Sequence, residues 1–164
     1  MNVDAIFAAF ERHRAEFILI GGVNFLLRHE PILTFDVDLW IRDTPENRAH
    51  CVNALSALHA TWGESESTWG PIDRLPDDWL ARRSVHCLLS DEGPIDIFRS
   101  VTGLPAWEIC AARAHRGQTA TGTPYRGLSD ADMLACQMAL DEPLRKLDRV
   151  RRLRDHLQRD GSHE

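Results

Sequence analysis

The chain has 164 residues, of which 43% are hydrophobic and 27% charged, with a net charge of −6 at neutral pH. This is the composition of one soluble globular domain, residues 1–164, with enough material for a real core. No apolar run approaches the roughly 20 residues that span a bilayer, and the four scattered cysteines, with no C-x-x-C pair, argue against a zinc ribbon or a disulfide framework.

The opening segment MNVDAIFAAFERHRAEF contains acids and places Val3, Ile6, Phe7 and Phe10 on one stripe, so it predicts an amphipathic helix and not a signal peptide. Phe17-Ile18-Leu19-Ile20 is an apolar run of strand length. Gly21-Gly22 ends it with two residues that lack a Cβ, where another group can approach the backbone closely. Val23 to Arg28 predicts a short helix stopped by Pro31. Phe35 to Ile41 predicts the next strand, with Asp36, Asp38 and Trp40 on one face and Val37, Leu39 and Ile41 in the core. Two carboxylates two residues apart in a strand repel each other unless a cation lies between them. Hard oxygen ligands of this kind suit Mg²⁺, which keeps positions free for water and substrate phosphates. A solvated strand face is the plainer alternative.

Thr44-Pro45 predicts the start of a helix whose inner face is Val52, Leu55 and Leu58. Residues 61–80 hold Gly63, Gly70, Pro71 and Pro76 among Trp62, Trp69 and Trp79, a long irregular connection fastened by aromatics or used functionally. Val85 to Leu89 and Ile95 to Phe98 predict two strands joined by the turn formers of residues 90–94. Asp96 sits between two isoleucines in the second of them, a third acid in a strand, and two-metal phosphoryl-transfer sites need several carboxylates. Trp107 to Ala114 predicts a helix and Thr119 to Arg126 an extended segment. Ser129 with Asp132 predicts a capping box opening another helix. Residues 143–164 predict a basic C-terminal helix: Leu147, Val150, Leu153 and Leu157 recur at helical spacing, and Arg151 stands four residues from Asp155. Its seven basic residues suit either a solvated face or a site for nucleic-acid phosphates or an acidic partner.

Competing chemistries fail on spacing. There is no H-x-x-x-H or H-E-x-x-H pair, no G-x-G-x-x-G or phosphate-binding loop of the P-loop kind, and no G-x-S-x-G elbow; His86 beside Cys87 reads as strand packing.

The run GGVNFLLRHEPILTFDVDLW resembles the signature of minimal nucleotidyltransferases of the DNA polymerase β superfamily, closest to the AbiEii-type toxin branch. Gly21, Gly22, Arg28, Thr34, Asp36 and Asp38 match that pattern. The segment PIDIF around Asp96 resembles the strand with the third catalytic acid. Leu128 to Leu134 resembles the late helix start, and Arg145 with Asp148 echoes a terminal Arg-x-x-Asp element. The resemblance implies an α/β (α+β) fold, a small mixed sheet flanked by helices. It implies transfer of a nucleoside monophosphate from an NTP to a hydroxyl of RNA, such as the tRNA 3′ end, or of a protein. Asp36, Asp38 and Asp96 would be the catalytic and metal-binding acids for two Mg²⁺ (or Mn²⁺) ions, and Gly21, Gly22, Arg28 and Thr34 would contact the nucleotide. The setting it implies is cytoplasmic, as a toxin–antitoxin pair or phage defence with a cognate antitoxin or toxin as partner. Two departures matter. Ile32 and Gln137 stand where the family usually has cations, and Lys146 is the single lysine of the chain. A binding module that keeps the fold but catalyses little is therefore the alternative function, and a small-molecule antibiotic nucleotidyltransferase the third.

Overall fold

Residues 1–160 are described by the structure, a computed structural model. Its centre is the apolar run already noted. Phe17–Ile20 (β1) is buried at every position and pairs antiparallel with Val37–Ile41 (β2), which pairs parallel with Gly93–Phe98 (β6). Val85–Ser90 (β5) forms a hairpin with β6, as the turn formers between them require. Two two-residue strands, Thr61–Trp62 (β3) and Gly70–Pro71 (β4), extend that edge. On the other side of β1 lies a hairpin of His115–Gln118 (β7) and Pro124–Gly127 (β8). The result is an eight-stranded mixed sheet in the order β4-β3-β5-β6-β2-β1-β8-β7.

Among the described residues six helices cover it: Val3–Arg12 (α1), Gly21–Arg28 (α2), Pro45–Ala57 (α3), Trp107–Ala112 (α4), Asp130–Ala139 (α5) and Leu147–Asp160 (α6). Their ends follow capping chemistry. Asn2 Oδ1 accepts from the Ala5 amide at 3.1 Å, and Thr44 Oγ1 accepts from the Asn47 amide at 3.2 Å ahead of Pro45 at the first helical position. Ser129 Oγ caps α5 through the Asp132 amide at 3.2 Å. The Asp132 carboxylate in turn accepts from the Ser129 hydroxyl at 2.9 Å, and from Arg113 just beyond α4 at 2.8 Å.

Strand alternation divides the interior in two. Leu19, Val37, Leu39, Ile41, Ile95 and Ile97 point to one face and pack with Ile6, Phe7 and Phe10 of α1 and Leu55 of α3. Ile18, Ile20 and Trp40 point to the other and pack with Phe25, Trp107, Met133 and Leu153 of α2, α4, α5 and α6. Trp40, expected beside the acids on an open face, is therefore core: only 3% of it is exposed, and Trp107 Nε1 donates to its carbonyl at 3.0 Å. A side chain of that apolar area is buried wherever helices are present to cover it.

Other boundaries shift for physical reasons. β2 begins at Val37, and Phe35 is 71% exposed on the loop before it. α2 starts at Gly21 itself, whose φ of +68° makes the strand-to-helix turn. Of the expected extended segment 119–126, residues 119–123 form the turn of the β7–β8 hairpin and only 124–126 are strand, in β8. Residues 61–80 hold β3, β4 and three single 3₁₀ turns; Trp79 is buried against Trp62 and His86, while Trp69 stays 42% exposed. All four cysteines are free; Cys51 and Cys110 are buried, Cys136 is half-buried and Cys87 is exposed. Among the described residues no helix is long and apolar enough to cross a membrane. Of the basic C-terminal helix expected over 143–164, residues 147–160 are α6, Glu142–Leu144 form a 3₁₀ turn, and 161–164 lie outside the described residues.

Candidate functional site

The register of three strands builds the site. Ile20 pairs with Asp38 across β1 and β2, and Asp38 pairs with Asp96 across the parallel β2–β6 pair. Asp36 lies one residue before β2 and follows its line. Asp36, Asp38 and Asp96 each offer one oxygen, and these oxygens lie within 4.8 Å of one another. They are half-buried. Among the described residues this is the one such cluster of potential metal ligands.

Electrostatics records the crowding. Asp38 is pushed up to about 7, first by burial and then by the charges of Asp36 and Asp96; the Gly22 backbone N–H, which donates to it, and the charge of Arg149 oppose the shift. Asp96 is raised too, mainly by burial, with Asp36 adding to the effect and a hydrogen bond from the Cys87 thiol opposing it. Partial burial and the neighbouring Asp96 push that thiol up to about 11, so Cys87 remains a protonated donor. The donor set is all carboxylate oxygen, which fits Mg²⁺ or Mn²⁺.

The two glycines fit against the acids and their loop. A Cβ on Gly21 would overlap the Asp38 carboxylate, whose Cγ would stand 2.7 Å from it. A Cβ on Gly22 would meet Thr34 Oγ1 at 2.6 Å. Gly21, Gly22, Thr34, Asp36 and Asp38 are thus brought to one place, with Asp96 reached through β6. The N-terminus of α2 has no side-chain cap, leaving first-turn N–H groups for an anion. Arg28 is placed differently. It forms an ion pair with Asp130 at 3.2 Å and donates to the Leu128 carbonyl at 2.9 Å, fastening α2 to the start of α5.

A cleft of about 440 Å³ opens beside Asp38. Gly21, Gln137 and Arg149 line its polar end, and Val85, Phe98, Val101, Leu128, Met133 and Leu140 its apolar walls. A larger hollow of about 770 Å³, between Arg14, Trp107, Arg116 and Arg126, adjoins Phe17 at the opposite end of β1.

Ile32 and Gln137, expected from the resemblance to be cations, both have local roles. Ile32 packs against the second core. Gln137 is buried and its Oε1 accepts from the Lys146 amide at 2.9 Å, joining α5 to the turn before α6. Arg149 is one of the seven basic residues expected on the outer face of the C-terminal helix, solvated or meeting nucleic-acid phosphates or an acidic partner; instead it lines the cleft beside Asp38. The amphipathic pattern of α6 was visible, but not which of its arginines turns inward. Elsewhere on this segment Arg152 pairs with Glu30, Arg151 pairs with Asp148 at 3.0 Å instead of Asp155, and Arg145 donates to the Leu140 carbonyl at 2.9 Å.

No protein-family model matches this chain, and no curated protein matches it significantly.

Proposed function

We propose that the protein is a metal-dependent nucleotidyltransferase of polymerase-β-like fold, cytoplasmic, that moves a nucleoside monophosphate from an NTP to a hydroxyl of RNA, such as the tRNA 3′ end, or of a protein. The observation that carries this reading is the convergence of Asp36, Asp38 and Asp96 at one end of the β2–β6 pair, with Gly21 held against Asp38.

Two Mg²⁺ ions held by Asp36, Asp38 and Asp96 would neutralise the triphosphate and stabilise the leaving pyrophosphate. The chain supplies the rest. With the Gly22 N–H engaged by Asp38, the other amides of the α2 first turn receive phosphate oxygens, with the Thr34 hydroxyl beside them. Gly21 leaves the Asp38 carboxylate room to stay pressed against the turn. Asp96, on the β6 side of Asp38, takes the proton of the acceptor hydroxyl. The acceptor oxygen then bonds to the α-phosphorus, the α–β bridging P–O bond breaks, and pyrophosphate leaves with the electron pair. The apolar cleft excludes water that would otherwise compete as acceptor.

The deciding experiment incubates the protein with each labelled NTP, Mg²⁺ and total RNA, and in parallel with a protein extract. Wild type should transfer label and Asp36→Ala should lose at least about a thousandfold in rate, given the several kcal/mol that metal positioning contributes. Equal behaviour of the two over every NTP ends the catalytic reading. A second reading, a nucleotide-binding module or partner protein in a toxin–antitoxin pair, is favoured by Ile32 and Gln137, which place no cation in the site. It is the one supported if Mg²⁺–NTP binds tightly and nothing becomes labelled.

A further inference from the structure

Among the arginines of α6, Arg149 alone combines partial burial with the lack of an ion pair: Arg154 and Arg159 are exposed, and Arg151 and Arg152 are paired. Its guanidinium makes no ion pair within 4 Å among the described residues, and no side-chain hydrogen bond engages it there. It is nevertheless half-buried, lies over the Phe25 ring at 5.5 Å from the centroid, and has Asp38 as the charge that bears on it. A desolvated cation without a carboxylate partner is costly unless something anionic completes it. Stacking on Phe25 holds the planar fork in one orientation, which an ammonium would not need.

Its position says which anion. One guanidinium nitrogen lies 3.7 Å from where a Gly22 Cβ would be, over the uncapped first turn of α2. It shares the cleft wall with Gly21, Asp38 and Gln137. This is the β1 side of Asp38; Asp96, where an acceptor hydroxyl would be deprotonated, is on the β6 side. A half-buried fork beside the glycine turn suits the end of a small polyphosphate, not the backbone of a polymer running across the surface.

We infer that Arg149 grips the β- and γ-phosphates of the nucleotide, supplying from α6 the cation that Gln137 does not supply from α5. The inference rests on the nucleotidyltransferase reading, and it deepens it by assigning the site to triphosphates over monophosphates. It also separates Arg149 from Arg152, whose charge is already met by Glu30.

The test is calorimetric titration of the full chain with Mg²⁺ and a nucleoside mono-, di- and non-hydrolysable triphosphate of the same base. Wild type should bind more tightly with each added phosphate. Arg149→Gln should bind the triphosphate about 10- to 100-fold more weakly, the size of a lost charge-assisted pair, and the monophosphate nearly as well as wild type. Arg149→Lys should recover part of that loss, and serves as the readout if the glutamine variant does not fold by circular dichroism. A triphosphate affinity unchanged in Arg149→Gln, or an equal loss for mono- and triphosphate, overturns the assignment while leaving the enzyme reading intact. Wild type that binds no Mg²⁺–nucleotide overturns the underlying reading as well.

Discussion

The two faces of the central sheet are made by the same strands yet have opposite characters. On the α1–α3 face, β1, β2 and β6 contribute only apolar side chains, and Leu19, Val37, Leu39, Ile95 and Ile97 are fully buried. On the other face the same strands carry Asp38 and Asp96 at their ends, with Ile18, Ile20 and Trp40 filling the remainder under α4, α5 and α6. Period-2 alternation makes this economical, since a substitution at one position perturbs stability and at the next perturbs chemistry. The difference teaches that the acid face is not a solvent face with a site on it. It is a second core left open at one end.

Substitutions on the two faces should fail in different ways. Leu39→Ala, one residue from Asp38, should cost about 2–5 kcal/mol of folding free energy, the usual range for a buried leucine left as a cavity. The readout is denaturant unfolding, with nucleotide binding per folded molecule unchanged. If Leu39→Ala abolishes binding in protein shown to be folded, the faces are coupled and the division is wrong.

The next effect is smaller and has a sign on each face. Asp38 holds its proton to about pH 7 in the metal-free fold, whereas the unfolded chain releases it near 4. The folded state therefore binds more protons across that window, and stability falls as pH rises through it. His86, on the apolar face, is pulled down to about 4, first by burial. The unfolded chain protonates this group near 6.5 and the folded one does not, so its contribution is lost as pH falls from there toward 4. The two oppose each other, and single variants separate them. In metal-free buffer at pH 8, Asp38→Asn should raise stability by on the order of 1–3 kcal/mol, and added Mg²⁺ should stabilise wild type but not the variant. His86→Gln should flatten the acid limb between pH 6.5 and 4. Melting curves across pH decide both, and parallel profiles for wild type and Asp38→Asn would contradict the raised Asp38.

The smallest expected effect marks where neither face reaches. Arg151→Gln removes an exposed pair with Asp148 on the outer side of α6 and should change stability by less than about 0.5 kcal/mol and nucleotide affinity not at all. A loss of nucleotide affinity there would mean that the outer arginines of α6 reach the site, and that Arg149 is not a special case.

Much of this was legible because it is local. Phe17–Ile20, Asp36-Val37-Asp38 and Pro94–Phe98 declare strands and their faces by alternation, and Gly21-Gly22 declares a turn. What was not legible depends on docking. Trp40 looks like a site residue until α4 and α5 are seen to cover it. His115-Arg116-Gly117-Gln118 is a strand without a strand's composition, because as an edge with mostly exposed side chains it needs none. Arg149 reaches Gly22 across more than a hundred residues of chain. Helical spacing shows that α6 has an inner face, but not that one arginine at its margin would point into a cleft.

That last separation has a consequence in time. Gly21 and Asp38 are synthesised early, Asp96 follows a little past half-way, and Arg149 comes only with α6. During translation the acids meet only once β6 has slid alongside β2, and the cation arrives only after α6 has left the ribosome and folded back over α2. A nascent or truncated chain ending before residue 147 would hold the three carboxylates without Arg149. The topology thus sets an order of assembly, with the three carboxylates brought together by β2 and β6 before α6 can add Arg149 to them.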